Sequence, residues 1–380
     1  MYIKEVKARK IKDSRNQYTI EVSVNGQVAS APSGKSTGKY ETPCYHKSLG
    51  WNINFLNKAP LDIPIGSFAD LHILESYIKK TAKLKDVKQF GANALFALES
   101  ATLKALAKEQ KKQLWQIINP KANKMPIPVG NAIGGGLHSH NKNHPTFQEF
   151  LLIPKGKNFK ENYSILKAVY KSLKSKIKAT AINDEGAWQT SLNEEQVLEV
   201  LSKYKNKINM GVDVASSSFF CDKEYKYKNR KLNKEAQIWY MNDLIKKFNI
   251  FYLEDPIQEE DFQGFSQVHR SSNHLVVGDD LTATHISRLK IAIKNKSINA
   301  MIVKPNQNGS LLEVKQIIDL CKKNNIKTIL SHRSGETLDN SLADYAFAFQ
   351  TDFIKCGIAT KWREVKLKRL LEIENSIRNV

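Results

Sequence analysis

The C-terminal half of the sequence repeats a pattern of short apolar runs, each of which ends in a polar residue. The runs are INMGVD, IFYLE, HLVVGD, AMIVK, TILSH and DFIK, and they end at Asp213, Glu254, Asp279, Lys304, His332 and Lys355. From Glu254 onward, consecutive run ends are 25, 25, 28 and 23 residues apart. One strand, one helix and two short loops need about that length. Apolar runs that alternate with helical segments are typical of a parallel sheet buried on both faces, so the period predicts a (β/α) barrel.

The polar run ends predict where the chemistry of such a barrel would take place. Catalytic groups of these barrels lie at the C-terminal ends of the strands. Three carboxylates, Asp213, Glu254 and Asp279, would converge there, and buried carboxylates need cations. No cysteine is placed to supply a soft ligand, so a hard divalent ion such as Mg²⁺ is favoured over Zn²⁺.

The N-terminal part follows a different pattern and is predicted to be a separate, smaller α+β domain. We expect residues 1–124 to form this capping domain and residues 125–380 to form the barrel. The boundary is expected near Pro120 to Pro128, where prolines interrupt the pattern.

Local signals predict the elements of this smaller domain. Residues 4–30 alternate as strands, with a hairpin turn at Asn25-Gly26. Residues 70–83 and 91–118 are predicted helices, and the second is rich in Ala and Leu, so it should be well buried.

The chain carries a formal net charge of +21, which attracts nucleic acid, anionic membranes and acidic substrates. Its lysines are spread along the chain rather than clustered, which favours solvated lysines of an ordinary globular protein. The densest run, Lys155–Lys178, has apolar residues at helical spacing and is predicted to be an amphipathic helix with most lysines on its exposed face.

Cysteine usage and hydropathy indicate the cellular compartment. None of the four cysteines forms a C-x-x-C pair, which argues against a structural zinc site and a disulfide framework. No stretch approaches 18 apolar residues, so we expect no membrane span. The charged N-terminus does not resemble a secretory signal. These features predict a cytoplasmic protein, and they leave display at a cell surface open.

Two motifs resemble sites that they are not expected to form. The SGKST segment at 33–37 resembles a P-loop, but Ala29 occupies the position of the first glycine that a P-loop requires. His138, His140 and His144 lie close together, yet their spacing is not a specific zinc pattern. A substrate-facing role is the stronger expectation for His138.

An ordered series of segments resembles the enolase family over nearly the whole chain. The segments are KARKIKDSRNQYTIEVSV, APSGKSTGKYE, GANALFALESATLKALA, QEFLLIP, NDEG, GVDVASSSFF, LEDPI, GDDLTATH, VKPNQNGS, SHRSGET and IKCG. The resemblance implies an enolase-type α/β barrel with an N-terminal α+β cap and a mobile loop. It also implies a Mg²⁺-dependent hydro-lyase that interconverts 2-phosphoglycerate, a small phosphorylated acid, and phosphoenolpyruvate. A homo-oligomer, either a dimer or an octamer, is implied as well.

The resemblance further assigns a role to each residue that matches the family pattern. The implied metal ligands are Asp213, Glu254 and Asp279. The implied catalytic residues are Lys304, Glu185, Glu149 and His332. The implied substrate-binding residues are His138, Arg333, Ser334, Lys355 and Ser36. In these roles Lys304 is the base, the two glutamates lie on the acid side, and Ser36 helps to hold a second Mg²⁺.

The sequence departs from the family pattern around these residues. Lys35 stands in the mobile loop where a small residue is usual, and a bulky residue there could alter loop closure. Further departures are Asn16, Tyr18, Gly134, Leu137, His140 and Trp188. Two alternatives stay open: a dehydratase with a different acid substrate, and a non-catalytic protein that binds acidic partners or anionic surfaces weakly through charge. The complete set of matching site residues favours the enzyme.

Overall fold

The computed structural model describes residues 1–35, 39–59, 62–139, 141, 143–270 and 274–378. The strands are β1 (Tyr2–Ile3), β2 (Val6–Lys12), β3 (Tyr18–Val24), β4 (Gln27–Ser30), β5 (Ile63–Pro64), β6 (Ile127–Gly134), β7 (Glu149–Pro154), β8 (Ala181–Ile182), β9 (Trp188–Gln189), β10 (Ile208–Asp213), β11 (Phe220–Cys221), β12 (Glu224–Lys226), β13 (Lys231–Leu232), β14 (Tyr252–Glu254), β15 (Leu275–Gly278), β16 (Ala300–Val303), β17 (Lys327–Ser331) and β18 (Phe353–Lys355). The helices are α1 (Leu49–Lys58), α2 (Leu71–Thr81), α3 (Ala92–Glu109), α4 (Leu114–Ile118), α5 (Phe159–Lys176), α6 (Glu194–Ser202), α7 (Lys234–Phe248), α8 (Phe262–Arg270), α9 (Ile286–Asn295), α10 (Pro305–Asn308), α11 (Leu311–Lys323), α12 (Ser341–Ala348) and α13 (Lys361–Arg378). None of the helices in these ranges combines the length and the apolar character that crossing a bilayer requires.

Eight strands of the described chain close into a barrel, which confirms the predicted fold class. Their order is β18, β17, β16, β15, β14, β10, β7 and β6, and β18 pairs back onto β6. The six predicted runs correspond to β10 and β14 to β18. Along β16, Ala300 and Ile302 belong to one apolar cluster, whereas Met301 and Val303 belong to another. The run is apolar throughout because both of its faces are buried.

One barrel strand runs against the others. Strand β7 is antiparallel to both of its neighbours, β6 and β10. The parallel arrangement predicted for the six runs is confirmed, since β10 and β14 to β18 pair in parallel. Because β7 runs in the opposite direction, its first residue, Glu149, lies at the same rim as the ends of the parallel strands. The register pairs Glu149 with Asp213, the last residue of β10.

The N-terminal part contains a three-stranded antiparallel sheet of β2, β3 and β4. The predicted hairpin turn is confirmed, since Asn25 and Gly26 link β3 to β4 with φ values of 47° and 78°. Positive φ at both positions is what a tight two-residue hairpin requires. Helix α3 packs against β3 and β4, and most of its side chains are buried, as predicted.

The observed helices differ from the predicted ones in two ways: one predicted helix is divided in two, and one observed helix was not predicted. The helix predicted over 70–83 corresponds to α2, and the helix predicted over Lys155–Lys178 corresponds to α5. The helix predicted over 91–118 is wrong as one element, because α3 ends and α4 begins after a turn in which Lys111 has φ 52°. The Gln116 side chain caps the new helix, since its Oε1 accepts from the backbone N–H of Gln113 at 2.9 Å. Helix α1 was not predicted. We propose the domain boundary at 124/125, between α4 and the first barrel strand.

Candidate active site

The polar residues at the strand ends surround a cavity of about 260 Å³ at the C-terminal rim of the barrel. The predicted site residues that line it are His138, Glu149, Glu185, Asp213, Asp279, Lys304, His332, Arg333, Ser334 and Lys355. Glu254 lies at the base of the same site and is fully buried. Ser36 and His140 fall outside the described residues. The structure therefore brings together every predicted site residue that it describes.

Lys355 lies at the point where three carboxylates converge. Its Nζ is 3.0 Å from Asp213 Oδ2, 2.8 Å from Glu254 Oε2 and 2.8 Å from Glu149 Oε2. Burial lowers the pKa of Lys355, but these three carboxylates outweigh burial and raise the pKa well above its ordinary value. The ammonium group marks a position where a cation is strongly favoured.

The carboxylates of this site are not fully balanced by the cations of the chain. Burial, followed by the neighbouring charge of Asp213, raises the pKa of Glu254 well above its usual range. Burial likewise raises the pKa of Asp213. Eight of the residues that line the cavity are acidic and five are Lys or Arg. Oδ1 of Asp279 is buried without a hydrogen-bond partner among the described residues. Such a set of oxygen donors suits a hard divalent cation.

A second grouping of carboxylates shares Asp279 with the predicted metal set. One carboxylate oxygen each of Asp255, Asp279 and Asp280 lies within 4.8 Å of the others. The two oxygens of Asp255, however, accept hydrogen bonds from the backbone N–H groups of Asp279 at 2.9 Å and Asp280 at 2.8 Å. We therefore interpret Asp255 as the residue that orients the 279–280 backbone.

Lys304 follows β16 directly and reaches across to Asp279. Its Nζ lies 2.5 Å from Asp279 Oδ2. Burial lowers the pKa of Lys304, but the charge of Asp279 outweighs burial and raises the pKa above its ordinary value. The backbone N–H of Lys304 donates to Thr284 Oγ at 2.9 Å, and Pro305 at the first position of α10 prevents the strand from continuing.

The opposite wall of the cavity holds two glutamates that share an amide. Asn131 Nδ2 donates to Glu149 Oε1 at 2.8 Å and to Glu185 Oε2 at 3.3 Å. Burial raises the pKa of Glu149. Burial also acts on Glu185, but the charges of His138 and Arg363 outweigh it and lower the pKa of Glu185. Two carboxyls whose pKa values are moved apart are typical of an acid and base assignment.

The two histidines of the site differ in charge. Burial lowers the pKa of His138, but Glu185, Asp184 and Glu149 outweigh burial and raise the pKa to about 9. Burial, together with the nearby cation Arg363, lowers the pKa of His332 well below its ordinary value. At neutral pH, His138 is therefore cationic and His332 is neutral.

Arg333 and Ser334 form a basic segment after β17, and residues of the N-terminal part hold it. Arg333 Nη2 donates to Glu41 Oε2 at 2.8 Å. Arg15 Nη1 donates to Ser334 Oγ at 3.0 Å, and Arg15 Nη2 donates to the carbonyl of Gly34 at 3.2 Å. Sequence reasoning missed Asn131, Arg15 and Glu41 as site residues. Arg15 lies in the DSR motif and Glu41 ends the APSGKSTGKYE segment, and these were the available signals, whereas nothing local marks Asn131.

Two of the departures from the family pattern, Lys35 and Trp188, lie at the edge of the cavity and behind it, respectively. Lys35 lines the cavity mouth, and its Nζ donates to the carbonyl of Leu137 at 2.9 Å. Trp188 stacks on Tyr170 with ring centroids 5.0 Å apart, and its indole N–H donates to the carbonyl of Tyr170 at 2.9 Å. Trp188 thus packs on helix α5, behind the cavity wall.

Comparison with known proteins gives the family. The family model for the C-terminal TIM barrel domain of enolase matches residues 122–380. Enolase of Methanocorpusculum labreanum is 35% identical over an alignment of 400 positions, which covers 98% of this chain and 98% of the relative. Enolase of Archaeoglobus fulgidus is 34% identical, covering 98% of this chain and 97% of the relative. Enolase of Saccharolobus solfataricus is 35% identical, covering 98% of this chain and 96% of the relative. The chain therefore belongs to the enolase family.

Proposed function

We propose that this protein catalyses the reversible dehydration of 2-phosphoglycerate to phosphoenolpyruvate. The observation that carries the proposal is the composition of one cavity. A lysine and a pair of buried glutamates line it together with a cluster of carboxylates that fits a divalent cation. A basic Arg-Ser segment for a phosphate lies at the same rim. The relatives that are named enolase match 98% of the chain, which supports the same activity here.

Asp213, Glu254 and Asp279 would hold a divalent cation such as Mg²⁺. The raised pKa values of Asp213 and Glu254, the unpartnered Oδ1 of Asp279 and the ammonium of Lys355 beside Asp213 and Glu254 support this fit. When bound, Mg²⁺ supplies positive charge that stabilises the negative charge gathering on the substrate carboxylate. Lys355 is the residue that we assign to the carboxylate of the substrate, as a point charge.

Lys304 is the proposed base that removes the C2 proton. A lysine can act as a base only as a neutral amine, and its ion pair with Asp279 at 2.5 Å keeps it charged. Lys304 would lose its own proton more readily when another cation shares the charge of Asp279. The structure around Lys304 holds the side chain in reach of the cavity, because Thr284 anchors its backbone.

Glu185 and Glu149 are the proposed acid side of the reaction. The departing hydroxide needs a proton, and a carboxyl with a raised pKa can supply one at neutral pH. The raised pKa of Glu149 supports its protonated form, while Glu185 lies 4.0 Å from His332 Nε2 and 4.0 Å from His138 Nδ1. Asn131 donates to both glutamates and would fix their positions relative to each other.

Arg333 and Ser334 are the proposed phosphate ligands. The planar guanidinium suits the geometry of a phosphate group. His138 adds positive charge on the other side of the cavity. Ser36 is proposed to join them when the substrate is bound.

Formation of phosphoenolpyruvate from 2-phosphoglycerate, followed by ultraviolet absorbance, tests the proposal. We expect turnover with Mg²⁺ and none with a chelator. Lys304→Ala should lower kcat by about 10²–10⁴-fold, the contribution of a general base. Lys290→Ala, on the exposed face of α9, is the matched control and should keep wild-type activity. A folded wild-type protein that binds Mg²⁺ but turns over no substrate would refute the proposal and favour a different acid substrate or a binding role.

A further inference from the structure

Glu41 is a buried carboxylate in direct contact with the arginine that we assign to the phosphate. The two side chains are 6% and 4% exposed, respectively. Arg333 Nη2 donates to Glu41 Oε2 at 2.8 Å and to Oε1 at 3.1 Å. Burying an ion pair takes both charges out of water, which is costly. A carboxylate that faces an expected phosphate also repels it. Its position therefore calls for a function.

Both contacts use the same nitrogen of the guanidinium, Nη2. A guanidinium is planar and carries donors on Nη1 and Nε as well. A carboxylate fixed at Nη2 therefore sets the plane of the Arg333 fork and the direction of its remaining donors. Two matching N–H donors can then bind a phosphate only in one orientation.

Glu41 is itself held in place by the element that carries Lys304. Gln307 Nε2 donates to Glu41 Oε1 at 3.1 Å, and the Gln307 carbonyl accepts from the backbone N–H of Thr42 at 3.0 Å. Thr284 Oγ donates to Gln307 Oε1 at 2.7 Å. The same hydroxyl accepts from the backbone N–H of Lys304 at 2.9 Å. These contacts connect Arg333 through Glu41 to Lys304, so the positions of the two side chains depend on each other.

We propose that Glu41 is a positioning residue that orients Arg333 for a phosphate ester and weakens its affinity for free phosphate. The identity of the ester rests on the proposed function. Glu41 would therefore weaken the binding of free phosphate and increase the turnover of the substrate. The negative charge of Glu41 reduces the attraction of Arg333 for any anion, while the fixed guanidinium places the substrate correctly over Lys304.

The test measures inorganic phosphate binding by calorimetry and turnover of 2-phosphoglycerate by absorbance, both with saturating Mg²⁺. Glu41→Gln removes the charge and keeps the shape, so we expect the Kd for phosphate to fall about tenfold and kcat to fall at least about tenfold. Glu41→Asp keeps the charge but shortens the side chain. We expect its phosphate Kd to stay within about twofold of wild type and its kcat to fall.

Glu260→Gln is the matched control, because Glu260 contacts the same segment without touching Arg333. It accepts from Tyr40 Oη at 2.6 Å and from Lys39 Nζ at 3.3 Å. The Kd of this variant for phosphate should equal that of wild type. Weaker phosphate binding together with lower kcat in Glu41→Gln would mean a merely structural role and would overturn the proposal, as would no change in either quantity. The phosphate Kd needs no turnover, so it tests Glu41 even if the wild type fails to convert 2-phosphoglycerate.

Discussion

Gly335 follows the Arg333-Ser334 segment directly and packs closely against Asp13 and Ser33 of the N-terminal part. Its backbone N–H donates to the carbonyl of Ser33 at 2.8 Å, and its carbonyl accepts from the Ser33 N–H at 2.7 Å. A Cβ at this position would overlap Asp13 Oδ2 and would lie 2.5 Å from Ser33 Oγ. Asp13 cannot rotate away easily, because its Oδ1 accepts from the N–H groups of Arg15 at 2.8 Å and Gln17 at 2.9 Å.

The cost of Gly335→Ala follows from these contacts. Loss of the two backbone hydrogen bonds would cost about 1–3 kcal/mol in total, and forcing a methyl group into a packed site adds about 1–3 kcal/mol. We therefore expect the free energy of unfolding to fall by about 2–6 kcal/mol. A shift of about 1 Å in the neighbouring Ser334 and Arg333 would lower kcat/KM by about 10²-fold.

Urea unfolding and steady-state turnover of 2-phosphoglycerate measure the two effects. Gly50→Ala is the matched control, because its new Cβ would meet only Ser48 Oγ at 3.9 Å within helix α1. That variant should gain about 0.5–1 kcal/mol of stability and keep its activity. Wild-type stability and activity in Gly335→Ala would refute the reasoning that this close approach positions the phosphate segment.

Three further perturbations test the electrostatics of the interior. Burial and the charge of Glu75 raise the pKa of Glu99 well above its ordinary value. Below the unfolded-state pKa of about 4.3, Glu99 is neutral in both states and does not lower the free energy of unfolding. As pH rises above that value, the unfolded state ionises first, so the free energy of unfolding falls. Glu99→Gln should thus raise Tm more at pH 8 than at pH 5, and an equal gain at both would contradict this. Lys366 Nζ lies 2.6 Å from Glu336 Oε2, and both side chains are buried. Lys366→Met should therefore lower the free energy of unfolding in urea by about 3–5 kcal/mol. A loss below about 1 kcal/mol would contradict this, because it would mean that the charge of Glu336 is not left unpaired. Saturating Mg²⁺ should raise the free energy of unfolding of wild type by about 2.7 kcal/mol at 100 times the Kd. The gain should be far smaller in Glu254→Gln, and thermal or urea unfolding with and without Mg²⁺ measures both.

Periodicity predicted six of the eight barrel strands and missed β6 and β7. The six runs that correspond to β10 and β14 to β18 end in polar residues, and the last five run ends are regularly spaced. Strands β6 and β7 precede this repeat and are joined without a crossover helix, so no period marks them. Glu149 begins its strand instead of ending it, and only the antiparallel direction of β7 brings it to the rim.

The site residues that sequence reasoning missed are those that act through other side chains. Glu41 and Asn131 contact Arg333 and the two glutamates, respectively, over long separations in sequence. Such contacts depend on how the N-terminal part and strand β6 pack around the rim, which local patterns do not encode. The break between α3 and α4 had a similar cause, because an αL residue and a capping side chain override a continuous helical composition.

Exchange of the C2 hydrogen of 2-phosphoglycerate in D₂O, followed by nuclear magnetic resonance, tests the assignment of Lys304 as the base most directly. Wild type with Mg²⁺ should exchange this hydrogen and form phosphoenolpyruvate. Glu185→Gln should still exchange it while product formation falls sharply, since the acid side acts on the hydroxide. Lys304→Ala should lose both. Exchange at the wild-type rate in a folded Lys304→Ala protein would contradict the account.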